Sequence, residues 1–278
     1  MIGGIELGGT KCVLAVANNP LDIISKKIID TSNPENTFSE IYSFFSNYPV
    51  KKLGVGSFGP IVLNSKSENY GIIVAESKYG WKDVNVINCL ADICSDVSID
   101  TDVNAAAIGE YNYGLEDKYQ TLAYVTVGTG IGVGILLDGR PYRGNFHLEA
   151  GHMRIPNINN YPGLCNLHGD CWEGLASGPS MKARWGIDPV ELPKDHDAWE
   201  IEAELLSLGL INIISNHSPD KIILGGGVMS QEHLLPMIRN NIAKIWNNFT
   251  PLVNLSNLIS KPVLGKDSGI IGSLSLVC

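Results

Sequence analysis

Basic charge is scarce in this sequence of 278 residues: 20 Lys and Arg stand against 29 Asp and Glu, a formal net charge of −9. That balance excludes a general binder of the nucleic-acid backbone, whose affinity rests on an excess of Lys and Arg. It does not exclude nucleotides, which backbone amides and metal ions can hold. Long hydrophobic runs are also lacking. None approaches the roughly 18 apolar residues of a membrane helix, and the longest apolar stretch, Tyr124 to Leu137, is broken by four glycines. The first residues, Met1-Ile-Gly-Gly-Ile-Glu6, carry no basic segment, so no secretory leader is expected and the expected location is cytoplasmic. Cysteine is sparse, with six in the chain, and four of them (Cys12, Cys89, Cys94, Cys278) are scattered. A disulfide scaffold is thereby excluded. No G-x-x-x-x-G-K-S/T phosphate loop occurs.

What is present is an ordinary globular composition, 44% hydrophobic and 18% charged, in a length that suggests two domains at roughly 150 residues each. Ile2–Leu7 and Cys12–Ala17 read as strands joined through Gly8-Gly9-Thr10-Lys11. A Rossmann or P-loop site needs a helix after its glycines, and Cys12-Val-Leu-Ala-Val-Ala is a β-type run, so the pair is a hairpin. The unit recurs at Leu122–Val127, Gly128-Thr129-Gly130 and Ile131–Leu137, 119 residues further on when the two Gly-Thr pairs are compared. Repetition at half-chain distance predicts two similarly built α/β lobes facing each other. Strands are further expected at 23–30, 52–56 and 221–224 and at one ending near 99–102. Helices are expected at about 37–47, 104–113, 173–185, 199–216, 231–246 and 269–277.

Three groups of residues carry chemistry. The glycine clusters at 8–10, 128–130 and 225–227 each sit at a strand end, where the backbone can approach a phosphate closely. Each alone is also an ordinary turn; a triphosphate clamped between two lobes explains all three. In Asp100-Thr-Asp102-Val-Asn104, Asp102 is either a helix N-cap or a base that takes a hydroxyl proton during phosphoryl transfer. The third group is His147-Leu-Glu149-Ala-Gly-His152, followed by Cys165-x2-His168-x2-Cys171-x-Glu173. His152, Cys165, His168 and Cys171 make a complete tetrahedral set of two thiolates and two imidazoles, the pattern of structural zinc; the alternative is free Cys and surface His that happen to be close. Such a metal would fix the loop carrying Glu149 and Glu173, whose carboxylates either accept hydrogen bonds from polyol hydroxyls or are simply solvated.

Together these residues resemble the ROK family, which comprises sugar kinases, related repressors and open reading frames. The likeness runs through Glu6-Leu-Gly-Gly-Thr-Lys11, Gly56-Ser-Phe-Gly-Pro60, Asp102-Val-Asn-Ala-Ala-Ala, Thr126-Val-Gly-Thr-Gly-Ile-Gly-Val-Gly134, Glu149-Ala-Gly-His152, Glu173-Gly-Leu-Ala-Ser-Gly-Pro179 and Ile223-Leu-Gly-Gly-Gly-Val-Met229. The wording of the Cys/His/Cys loop is most similar to the bacterial-type fructokinases of that family. The resemblance implies a two-domain actin-like ATPase (ribonuclease H-like) α/β fold with an interlobe active-site cleft. Residues 1–104 would form a small N-terminal lobe onto which the helix 266–278 packs back, and 105–265 a large lobe with the zinc loop.

The activity implied is ATP- and Mg²⁺-dependent phosphorylation of a hexose, most like D-fructose to D-fructose 6-phosphate, by a chain that contacts neither nucleic acid nor membrane and forms a homodimer. Asp102 matches the catalytic base. Gly59, Asn104, Glu149, His152 and Glu173 match sugar-site positions. Gly8, Gly9, Thr10 and Lys11 match the first phosphate loop, Gly128, Thr129 and Gly130 the second, and Gly225, Gly226 and Gly227 the adenosine-side loop. Three departures stand out: Glu6, on the Mg²⁺ side, is Asp in many members; Thr101 is commonly Asn; and His168 supplies a ligand that is elsewhere Cys. The alternatives are a glucokinase, mannokinase or amino-sugar kinase of the same family, or a sugar-sensing regulator. Family repressors carry a DNA-binding segment ahead of the first hairpin, which here starts at residue 2, so catalysis is the expectation.

Overall fold

A computed structural model describes residues 1–251 and 254–278. β1 (Ile2–Leu7), β2 (Lys11–Asn19) and β3 (Asp22–Asp30) form an antiparallel meander in which Leu7 faces Cys12 across the first tip. α1 (Pro34–Phe45) begins at Asn33, whose side chain accepts from the Asn36 N–H at 2.9 Å, with Pro34 in the first turn where its missing donor costs nothing. Its Phe38, Ile41 and Phe45 are buried at helical spacing. β4 (Lys52–Ser57) pairs parallel with β1, and β5 (Val97–Thr101) pairs parallel with β4, giving the sheet order β3-β2-β1-β4-β5. α2 (Asp102–Gly109) follows directly and loosens into a π-turn at Glu110–Gly114.

The second sheet repeats this wiring. β6 (Thr121–Val127), β7 (Ile131–Leu137) and the two-residue β8 (Arg140–Pro141) are consecutive strands, and β9 (Lys221–Gly225) and β10 (Ile259–Ser260) add parallel to β6 in turn; the order is β10-β9-β6-β7-β8. The helices of this half are α3 (Trp172–Ala176), α4 (Gly178–Trp185), α5 (Ala198–His217), α6 (Leu234–Trp246) and α7 (Leu255–Leu258). The single helix expected over 173–185 is thus two. Ser177 is extended (ψ 161°) and caps α4 by accepting from the Ser180 N–H, and a continuous helix would drive the Pro179 ring into the carbonyl four residues back. Trp172 anchors α3 by donating from its indole to the Leu205 carbonyl at 3.1 Å.

The last helix, α8 (Ser268–Ser275), returns to the first sheet. β2 explains why it can: Leu14 and Val16 point into the larger core with α1, while Ala15 and Ala17 point the other way and pack with Ile270, Ile271 and Leu274. Small residues on α2 and α8 let their backbones touch; a β-carbon at Gly272 would overlap the Ala105 carbonyl. Glu110 secures the arrangement by accepting from the N–H groups of Val263 and Leu264 and from the Ser268 hydroxyl, at 2.7–3.0 Å. Residues 1–118, 140–148 and 263–278 accordingly form one compact unit, and 119–139 with 149–262 another. The expected boundary at residue 104 cuts α2 after its third residue; packing against α8 keeps the whole helix in the first unit. Among the described residues, no helix is long and apolar enough to cross a membrane.

Candidate active site

In the first unit, the tip between β1 and β2 is closed by Gly8 N–H donating to the Lys11 carbonyl at 3.0 Å, and is braced by Thr31, which donates to the Gly8 and Thr10 carbonyls. A β-carbon at Gly9 would meet no protein atom within 4 Å, so the fold itself leaves that space open. Two residues before the tip, Glu6 is held with Oε2 buried and lacking any hydrogen-bond partner. Burial, reinforced by the charges of Asp102 and Asp267, pushes its carboxyl up to about 7. Its length is accommodated by Gly269 on α8, where any β-carbon would overlap the Glu6 carboxyl group.

Asp102 is the first residue of α2 and is not the N-cap. Thr101 is the cap, its hydroxyl accepting from the Asn104 N–H at 3.1 Å. The Asp102 carboxylate accepts from Val103 N–H at 2.8 Å, and burial pushes it up to about 6. Asn104, buried one turn into α2, donates from Nδ2 to Asp100 at 2.8 Å. Gly59 sits in a loop after β4, its peptide bond to Pro60 cis and its carbonyl accepting from the Ser77 hydroxyl. His147 does not join the Cys/His group: its Nε2 accepts from the Ile61 N–H at 3.0 Å, which orders the loop beyond Gly59 and makes Nδ1 the protonated nitrogen. Burial pushes His147 below the usual histidine range, consistent with that neutral form.

In the second unit two of the glycine clusters come together. Gly128 N–H closes its tip on the Gly130 carbonyl at 2.9 Å, and an added β-carbon at Gly128 would lie 3.9 Å from the Gly227 nitrogen. Gly226 has φ +94° and its β-carbon would strike the Val127 backbone, so the fold demands glycine there, whereas Gly227 faces open space. Glu173 on α3 accepts from the Ile131 N–H at 3.0 Å through Oε2 and packs onto Gly130, which ties this carboxylate to the second tip. Its Oε1 lies 3.9 Å from His152 Nδ1, and Glu149 Oε2 lies 3.9 Å from His152 Nε2. Glu149 and Glu173, the two carboxylates expected at a sugar site, therefore flank one imidazole.

That imidazole belongs to the quartet His152, Cys165, His168 and Cys171, whose donor atoms all lie within 4.8 Å of one another. Cys165 Sγ is 3.6 Å from His152 Nδ1 and 3.7 Å from His168 Nδ1, and Cys171 Sγ is 3.6 Å from His152 Nδ1. With Zn–S near 2.3 Å and Zn–N near 2.0 Å, a tetrahedral S···N edge is about 3.6 Å. The donor set fits zinc in type and spacing. Cys171 also caps α3, accepting from the Gly174 N–H, so the cluster and the helix carrying Glu173 are mechanically one piece.

Glycine hairpin tips on two sheets of identical strand order, with a carboxylate at the head of α2, define a two-domain actin-like ATPase fold. The ROK family model matches residues 2–278, and the chain belongs to the ROK family. It is 39% identical to a fructokinase of Lactococcus lactis subsp. cremoris, over 90% of this chain and 87% of that protein. To a fructokinase of Pediococcus pentosaceus it is 36% identical, over 99% of this chain and 97% of that protein. Among solved structures it is similar to a ROK family glucokinase from Streptomyces griseus in complex with glucose and AMPPNP, with TM-score 0.79 and 23% identity over 99% and 98% of the two chains.

Proposed function

We propose that this chain is an ATP:D-fructose 6-phosphotransferase. Near-full-length similarity to fructokinases supports the reaction and the acceptor. The observation that carries the mechanism is the state of Asp102: Thr101 does the capping, so the carboxylate at the head of α2 is left for proton transfer, and burial brings it near neutrality. Asp102 takes the proton of the 6-hydroxyl as that oxygen bonds to the γ-phosphorus and the bond to the ADP oxygen breaks. Asn104, Gly59, Glu149, His152 and Glu173 hold the sugar. Gly8–Lys11 and Gly128–Gly130 offer backbone amides and the Lys11 ammonium to the phosphates, and Gly225–Gly227 receive the adenosine side. Glu6 lies on the side where Mg²⁺ would neutralise phosphate charge when bound. His152, Cys165, His168 and Cys171 would hold zinc, which would be structural since protein fills all four positions, and would keep Glu149 and Glu173 in place. Most of the rate comes from positioning and charge neutralisation.

The test is a coupled ADP-release assay over fructose, glucose, mannose and N-acetylated amino sugars, with the product located by phosphorus NMR. Fructose is expected to give the highest kcat/KM, and phosphorylation is expected at the 6-hydroxyl. A higher value for another hexose overturns the substrate, and no turnover of any hexose overturns the enzyme.

A further inference from the structure

One buried carboxylate beside the proposed site has no task in the mechanism above. Asp100 is 2% exposed at the end of β5, two residues ahead of the proposed base. Three donors converge on its two oxygens. Oδ1 accepts from the Thr101 N–H and from Asn104 Nδ2, both at 2.8 Å, and Oδ2 accepts from the guanidinium of the partly exposed Arg143. A carboxylate holding three donors acts only as an acceptor, so the Asn104 amide has one compatible orientation. Its NH₂ faces Asp100 and its carbonyl oxygen faces away. An unrestrained asparagine can present either end by a half-turn. Here a half-turn would set two oxygens against each other without a proton between them, in a buried setting where such repulsion is strong. Arg143 blocks the escape, because Asp100 cannot swing aside without losing a charge-assisted bond.

We propose that Asp100 is a positioning residue that fixes the polarity of the Asn104 amide, so that the sugar site reads one hexose hydroxyl as a hydrogen-bond donor. This rests on Asn104 being a sugar-site residue. Asp100 touches neither sugar nor phosphate; it acts through Asn104, and Arg143 braces it. A hydroxyl both donates and accepts, whereas fluorine in its place cannot donate. The hydroxyl opposite Asn104 is therefore one that fluorine cannot replace.

The experiment uses the full chain and fructose analogues, each with one hydroxyl other than the 6-hydroxyl replaced by hydrogen or by fluorine. The hydroxyl read by Asn104 is the one whose KM penalty on deletion disappears in Asn104→Ala, a double-mutant cycle across the contact. At that position the wild type should treat the deoxy and fluoro analogues alike, with KM for both raised roughly tenfold over fructose, the scale of one hydrogen bond. In Asp100→Asn the amide is free to turn, and the fluoro analogue should gain several-fold over the deoxy analogue while KM for ATP holds. A fluoro analogue that outperforms the deoxy analogue in the wild type overturns the inference, as does an unchanged ratio in a folded Asp100→Asn. The wild-type comparison decides the matter even where Asp100→Asn does not fold. If no analogue's penalty depends on Asn104, the inference falls while the hexose assignment stands. If the hexose panel selects another sugar, the same series is built on that sugar, so the two failures are separate results.

Discussion

The two sheets share one strand order yet treat their tips in opposite ways. In each, a meander's first strand pairs parallel with a later strand, and the corresponding contacts are Glu6 opposite Gly56 and Thr126 opposite Gly225. Position two before the tip is therefore a carboxylate in the first sheet and a hydroxyl in the second. In the first unit, Glu6 and Asp102 are pushed up by burial, and Glu6 keeps a buried oxygen without a partner. In the second, Glu173 rests on a backbone N–H, and Glu149 and Glu173 flank the imidazole of a Cys/His quartet. The difference teaches that the strand order supplies only the location of the tips. Glu6 and Asp102 beside the first tip are held in a costly buried state, while Glu173 beside the second is held as an acceptor for a backbone N–H.

The largest expected effect breaks that contrast at its centre. Asp102→Asn should lower kcat by roughly 10²–10⁴ while fructose binding stays within a few-fold, by single-turnover kinetics and calorimetry. Near-normal turnover removes Asp102 as the base. The counterpart in the second unit is Glu173→Gln, for which the rise in KM should exceed the fall in kcat. Cys165→Ser should release the metal: elemental analysis is expected to give about one zinc per wild-type chain and close to none in the variant. Limited proteolysis should then open the loop at 157–170 with no new cut in the first unit. A metal-free wild type with the same protease pattern ends the zinc reading.

The pH dependence expected from Asp102 and Glu6 in the first unit is smaller. A base must be ionised, so kcat should rise about tenfold per pH unit below the Asp102 value of about 6 and level off above it. A flat profile from pH 5 to 8 contradicts this. Glu6 has the mildest consequence and the opposite sign for stability. Its folded value of about 7 lies above the ordinary 4.5, so the folded state holds the proton longer. Its contribution is present below 4.5 and is lost as pH rises through 7. Ligand-free Glu6→Gln should therefore melt a few degrees above the wild type at pH 8, with the gap closing near pH 5. A lower Tm at pH 8 contradicts the buried-charge account of Glu6.

Both hairpins are legible in the sequence because β-branched runs flank their glycines, and both appear with antiparallel pairing. The Cys/His quartet is legible for the same reason: its members lie within a short stretch and its chemistry is local. Residues 58–96 are not, since their order comes from isolated bridges such as Ile61 with Ile73 and from burial of Trp81 among Phe38 and Phe58. The break at Ser177 was signalled by Pro179, yet the apolar spacing runs straight through it. Asp100 stands in the same short segment as Asp102 and Asn104, but its bracing comes from Arg143, 43 residues away.

By itself the sequence determined what short-range chemistry dictates: which turns need glycine, which thiols and imidazoles can share an ion, and that a carboxylate stands at the head of α2. Only the tertiary structure decided which of those groups are left wanting a partner. Gly269 makes room for Glu6 across 263 residues, Glu173 reaches the N–H of Ile131 across 42, and α8 claims α2 for the first unit. Charge states and amide orientations follow from burial and from neighbours brought together by packing, and the order of residues along the chain carries neither.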